Sequence, residues 1–257
     1  MMIGTLRSGV AIGLLLTSTW FVTGCAGSSD KVQEANMHRR MGEGYLNQKN
    51  AAKALAEFQK GLELNQNDPQ LWHYCGLAFL IREEYDKAET YLKKAIDLDP
   101  SLSDARNHLG VTYLAENRAS EALEQFDKAL EDPDFTQTGM AFFNRGKALL
   151  ILDQPQSAIE AFERSIERNP ADIRAYLELA ELHLKQKDPR KSAFAARRAI
   201  EFYPQDYRAW FMLGRALQAQ NDRTGALEAL QKVQKFAPPE TEEYSRAGSL
   251  IKMIKTQ

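Results

Sequence analysis

A glycine or alanine returns along this chain at a near-constant interval: Gly42, Gly76, Gly110, Gly146, Ala180 and Gly214, separated by 34, 34, 36, 34 and 34 residues. A period of that size marks an array in which each unit is one supersecondary element. A second small column follows twelve residues later, at Ala54, Ala88, Ala122, Ala158, Ser192 and Ala226. A third lies seven further on, at Gly61, Ala95, Ala129, Ser165, Ala199 and Val233. Bulky residues precede the first column by four in most units (Trp72, Phe142, Tyr176, Trp210), and Pro100, Pro170, Pro204 and Pro238 close four of them. The columns have a packing reason. Small side chains let two antiparallel helix axes approach, and aromatic side chains fill the space beside them. Proline stops the second helix because it cannot continue one. A single hairpin cannot bury its own apolar face, so successive hairpins must stack.

The columns resemble the tetratricopeptide repeat, Trp-x-x-Leu-Gly-x-x-Tyr followed by Ala-x-x-x-Phe and Pro. The clearest copies are "LWHYCGLAF…DKAETYLKKAIDLDP" and "AWFMLGRAL…GALEALQKVQKFAP". The resemblance implies an all-α superhelix of six helical hairpins, over 35–68, 69–102, 103–136, 139–172, 173–206 and 207–240, with a capping helix over 241–257. Repeat one departs from the pattern with His38 and Gln66, and repeat three puts Arg106 in the aromatic column. In "TEEYSRAGSLIKMIKTQ", Thr241 can cap, Glu242 and Glu243 suit a helix start, and Tyr244, Ala247, Ile251 and Ile254 form one apolar stripe. A membrane-surface helix is the rival reading of that stripe, but the open end of a stacked array calls for a lid.

Composition narrows the function. A net charge of −2 offers no basic face for nucleic acid. The four histidines, His38, His73, His108 and His183, have no metal-ligand spacing, although His73 and His108 could meet across adjacent repeats. No glycine-rich phosphate loop and no local Ser/His/Asp or Cys/His motif is present. Cys75, within "LWHYCGLAF", has the surroundings of a buried thiol. The expectation is a non-enzyme with no metal, no cofactor and no small-molecule substrate.

The N-terminus belongs to another class. After Arg7, the run "VAIGLLLTSTWFV" is uncharged for 13 residues. That is short of the ~20 a helix needs to span a bilayer, and fits a secretory signal. Its end, Val22-Thr23-Gly24-Cys25, resembles a bacterial lipobox. The resemblance implies a signal peptide over 1–24 and Cys25 as the first mature residue, lipidated on its thiol and amine. An ordinary signal with an incidental cysteine, or an uncleaved anchor, are the alternatives. Ala26 favours sorting to the outer membrane, with the array facing the periplasm, and "AGSSDKVQE" over 26–34 is expected to be a flexible tether.

In tetratricopeptide repeats the second, fifth, sixth, ninth, twelfth and thirteenth positions face an inner groove. Here the resemblance assigns to it His73, Tyr74, Leu77 and Leu80, then Asn107, His108, Val111 and Leu114. Repeat four adds Met140, Phe143, Asn144, Lys147 and Leu150, and the last two add Leu177 and Phe211. Chaperone-binding members hold a C-terminal carboxylate with Lys and Asn at the fifth and ninth positions. The first three repeats carry Arg39/Glu43, His73/Leu77 and Asn107/Val111 there, so that clamp is absent. The middle of the groove is apolar, suited to an amphipathic helix or apolar strand of a partner, although these side chains could equally serve packing within the array.

A lipobox, a short tether and six repeats together resemble the PilF/PilW/Tgl family of type IV pilus lipoproteins. The slip between repeats three and four supports this, with Asp132, Pro133, Phe135, Asn144 and Gly146 matching that family's Asp-Pro-Tyr/Phe stretch and Asn-x-Gly helix, and so does "RAYLELAELHL". The resemblance implies a pilotin, an assembly factor that binds the outer-membrane secretin channel in its groove. A general envelope scaffold of the NlpI kind, gathering cell-wall enzymes, is the alternative.

Overall fold

The computed structural model describes residues 26–256. These form six helical hairpins: α1 (Ala26–Asn47) with α2 (Ala51–Leu64), α3 (Pro69–Ile81) with α4 (Tyr85–Leu98), α5 (Ser103–Ala115) with α6 (Ala119–Leu130), α7 (Thr138–Ile151) with α8 (Pro155–Arg168), α9 (Ile173–Lys185) with α10 (Pro189–Phe202), and α11 (Tyr207–Ala219) with α12 (Arg223–Phe236). A final helix, α13 (Glu242–Thr256), follows. The signal segment and Cys25 lie outside the described residues. The expected tether over 26–34 is not a separate coil: it forms the first turns of α1. Asp30 to Glu34 carry no glycine or proline to stop helix formation, and Ala35, next along the helix, is buried.

Every hairpin turns in the same way. Lys49, Glu83, Asn117, Asp153, Lys187 and Asn221 all take positive φ, between 55° and 64°. The next residue's N–H then donates back to the carbonyl five residues earlier, for instance Arg118 N to Tyr113 O at 2.8 Å and Asp188 N to His183 O at 2.8 Å. That bond satisfies a helix-end carbonyl left without an intrahelical partner. No glycine occupies these positions, so Lys49, Glu83 and Lys187 each carry a left-handed cost of roughly 1 kcal/mol. Many helix starts are capped by side chains: Asn50, Asp68, Asp172, Asp188, Asp206 and Asp222 accept from backbone N–H groups of the first turn.

Within a hairpin, the small column admits a large side chain from the partner helix. A Cβ at Gly110 would sit 2.6 Å from the Phe126 ring, one at Gly146 2.6 Å from Phe162, and one at Gly214 2.8 Å from Leu230. Repeat five solves the same contact with Ala180 and Ala196, both fully buried. Arg106, the outlier in the aromatic column, performs the tryptophan's polar task. Trp72 and Trp210 donate their indole N–H groups to the carbonyls of Gln66 and Pro204 at 2.8 Å, and Arg106 donates to Pro100 O at 2.8 and 3.2 Å.

The buried side chains form two large clusters that meet within α7. Ala148 belongs to the one reaching back to Ala35, and Leu149 to the one running on to Ile254. The two extra residues of the 36-residue spacing are taken up before α7, where Phe135 packs with Ala129 and Ala141. Asp132 accepts from Ser103 Oγ at 2.7 Å, and Gln137 donates to Asp104 at 2.8 Å, tying that loop to the start of α5. At the far end, α13 lies against α12 and α11 with Ala247 and Ile254 buried and Tyr244 and Ile251 partly so. The apolar stripe is therefore a lid on the core.

Candidate functional site

Most successive odd-numbered helices approach one another directly, whereas neighbouring even-numbered helices do so nowhere to the same degree. The crowded side of a stacked array is the inside of its curve, so α1, α3, α5, α7, α9, α11 and α13 line a concave face.

Its first half is apolar. Tyr74 is half-buried and stacks on Phe58 with ring centroids 5.3 Å apart. Leu77, Leu80, Val111 and Leu114 are half-buried, and Leu80, Val111 and Leu114 pack against the N-terminal core. Phe143, Leu150 and Leu177 stand in the same way over the C-terminal core, and Met140 is 45% exposed. Asn144 is half-buried, and Lys147 donates to Glu178 at 3.1 Å, bridging α7 and α9.

Three of the expected groove residues are not surface. His73 is 4% exposed, Asn107 0% and Phe211 4%. The repeat register gives the direction of a side chain, while the next hairpin decides whether that direction is covered. His73 is covered by His108 of the following repeat: His73 Nε2 and His108 Nδ1 are 2.8 Å apart and the rings stack. Burial, and then the neighbouring His108, pushes His73 down to about 3, and burial pushes His108 down to about 4, so the pair is neutral at physiological pH. Asn107 lies fully buried, and neither its Nδ2 nor its Oδ1 has a partner among the described residues. Phe211 is a floor: the guanidinium carbons of Arg215 and Arg246 lie 5.8 and 5.2 Å from its ring centroid.

Cys75 is fully buried, and burial pushes its thiol up to about 12, so it is not a nucleophile. Among the described residues no group of His, Cys, Asp or Glu could hold a metal ion, and no helix is long and apolar enough to cross a membrane.

The second half of the concave face is polar and ends in a cleft between α9, α11 and α13, lined by Lys185, Arg215, Gln218, Ser245, Arg246 and Ser249 among others. Sequence reasoning missed this feature. Its signal was present: carried one unit further, from 241, the groove positions fall on Ser245, Arg246 and Ser249.

Two family models described as "Tetratricopeptide repeat" match the chain, one over 39–103, 143–206 and 183–241 and the other over 79–135. The type IV pilus assembly protein PilF of Pseudomonas aeruginosa is 24% identical over 176 residues, covering 65% of this chain and 70% of PilF. A solved structure of Pseudomonas aeruginosa PilF matches with a TM-score of 0.76 at 21% identity, over 86% of this chain and 99% of that one. PilW, described as a widely conserved type IV pilus biogenesis factor, matches with a TM-score of 0.73 at 20% identity, over 83% of this chain and 98% of that one.

Proposed function

This chain belongs to the tetratricopeptide-repeat family, and from that premise we propose that it is a lipid-anchored outer-membrane pilotin that assists assembly of the type IV pilus secretin. The observation that carries the reading is the extent of the likeness. The PilF sequence is matched over 70% of its length, and the PilF and PilW folds are matched over 86% and 83% of this chain with TM-scores of 0.76 and 0.73. Two features of this chain support it. The Val22-Thr23-Gly24-Cys25 ending of the apolar leader supplies a lipidation point, and the concave face presents half-buried Leu77, Leu80, Val111 and Leu114 beside Met140.

The mechanism is physical, with no bond made or broken in the partner. Each buried methylene of an acyl chain contributes ~0.8 kcal/mol, so two or three chains on Cys25 hold the array at a membrane where one would bind marginally. The concave face then covers an apolar segment of the secretin until neighbouring subunits do so. The protein acts as a non-enzyme, through protein contacts alone.

The test is deletion of the gene followed by an outer-membrane assay for heat-resistant secretin multimers. The reading expects multimers to be lost on deletion and in a Leu77→Glu, Val111→Glu variant that retains its helicity. It also expects Cys25→Ser to move the array out of the membrane fraction. Unchanged multimers in the deletion strain would overturn the reading and leave the envelope scaffold.

A further inference from the structure

The concave face changes chemistry along its length, from leucine and valine on α3 and α5 to cations at α13. The cleft at that end has a volume of about 590 Å³ and is lined by Lys185, Arg215 and Arg246, with Gln218, Ser245 and Ser249 between them. Its two guanidiniums are held in place by one buried ring, since Arg215 and Arg246 both lie over Phe211. Each fork is only partly used. Arg215 Nη1 donates to Glu181, and Arg246 Nη1 donates to Glu242 at 3.2 Å. The Nε and Nη2 groups of both arginines have no protein acceptor among the described residues, and Lys185 Nζ is no closer than 3.9 Å to Glu181. Three cations against Glu181 and Glu242 leave a positive surplus. Planar forks with free N–H pairs match a carboxylate better than any neutral group does.

The cleft also shares its core with the apolar face. Leu184 and Leu250 line it and pack on the same core as Leu150 and Leu177. We propose that the cleft between α9, α11 and α13 receives a carboxylate of the bound polypeptide, so that the partner segment is apolar with an acidic end and lies in one direction, its acidic end at the capping helix. The proposal rests on the concave-face reading above, and it adds polarity and a charge requirement to it. The carboxylate has two possible sources, acidic side chains or a chain terminus, which the cleft recognises by the same chemistry.

The test uses the full-length protein in non-ionic detergent and three fluorescein-labelled Leu/Ala/Gln peptides, followed by anisotropy at low salt. One ends in Asp-Asp with an amidated terminus, one in Asn-Asn with a free carboxylate, and one in Asn-Asn with an amide. The expected result is about tenfold or tighter binding of at least one carboxylate-bearing probe over the charge-free one. The difference is lost in Arg215→Gln, Arg246→Gln. It is lost equally in Ser249→Glu, which adds an anion at an exposed position without breaking an ion pair. Which probe gains identifies the source of the carboxylate.

Equal affinity for all three ends, or no binding of any, overturns the proposal. So would binding to phosphatidylglycerol vesicles that Ser249→Glu abolishes while no peptide discriminates. The secretin assay separates the two levels: multimers lost on deletion but normal in Ser249→Glu keep the pilotin reading and reject the cleft. Multimers unchanged on deletion, with discriminating peptides, do the reverse.

Discussion

Phe162 and Gly146 offer the sharpest test of how the hairpins pack. The Phe162 ring is fully buried, and a Cβ added at Gly146 would stand 2.6, 2.8 and 2.9 Å from its Cε1, Cζ and Cδ1 atoms. Carbon atoms settle at about 3.5–4.0 Å, so the ring would have to retreat by about 1 Å into a packed core that includes Phe143, 5.6 Å away. Overpacking of this kind costs about 1–3 kcal/mol, and alanine's helix propensity over glycine returns about 1. Gly146→Ala should therefore destabilise by up to roughly 2 kcal/mol, and Phe162→Ala by roughly 3–5. The double variant recreates in repeat four the Ala180/Ala196 contact of repeat five. With the ring gone, the Gly146→Ala change becomes neutral or slightly stabilising, giving an interaction energy of about 2 kcal/mol. Urea unfolding followed by far-ultraviolet circular dichroism measures it, with the slope compared across variants because arrays can melt in stages. Additivity of the two changes within about 0.5 kcal/mol would show that the small column is not there to admit the ring.

Four further outcomes follow from the structure. Lys187→Gly should stabilise by about 0.5 kcal/mol, since the left-handed turn at φ 61° suits glycine, as a raised urea midpoint would show. Arg106→Ala should cost about 1 kcal/mol by leaving the Pro100 carbonyl without its donor, while Arg106→Trp should lose little, both read as thermal midpoints. The His73–His108 pair binds protons less readily folded, at about 3 and 4, than unfolded at 6.5, so its contribution is complete above pH 6.5 and is lost as pH falls through that window. At pH 5 the loss is about 2 kcal/mol per histidine, and His73→Phe should flatten the pH dependence of the urea midpoint between pH 6.5 and 5. Asn107→Leu removes a buried amide with no partner and should raise stability by about 1 kcal/mol in the same assay.

The sequence alone determined the stacked helical hairpins and the lid, because those follow from local contacts repeated at a fixed interval, whereas the start of the first helix, at Ala26 and not at 35, was not legible. A Gly146 admitting Phe162 sixteen residues on leaves its trace in the spacing of small and large side chains. The half-buried stripe of Leu77, Leu80, Val111 and Leu114 was legible for the same reason, since register alone sets which way a helical side chain points. What register cannot tell is what the next unit lays over that side chain. His73 is covered by His108, Asn107 is buried without a partner, and Phe211 lies beneath two guanidiniums. Arg106 was an outlier in the pattern until the structure placed its guanidinium on the carbonyl of Pro100. The cationic cleft was likewise decided only by the fold. Lys185, Arg215 and Arg246 lie on three helices spread over more than sixty residues, and only the stacking of α13 as a seventh inner helix brings them to one wall.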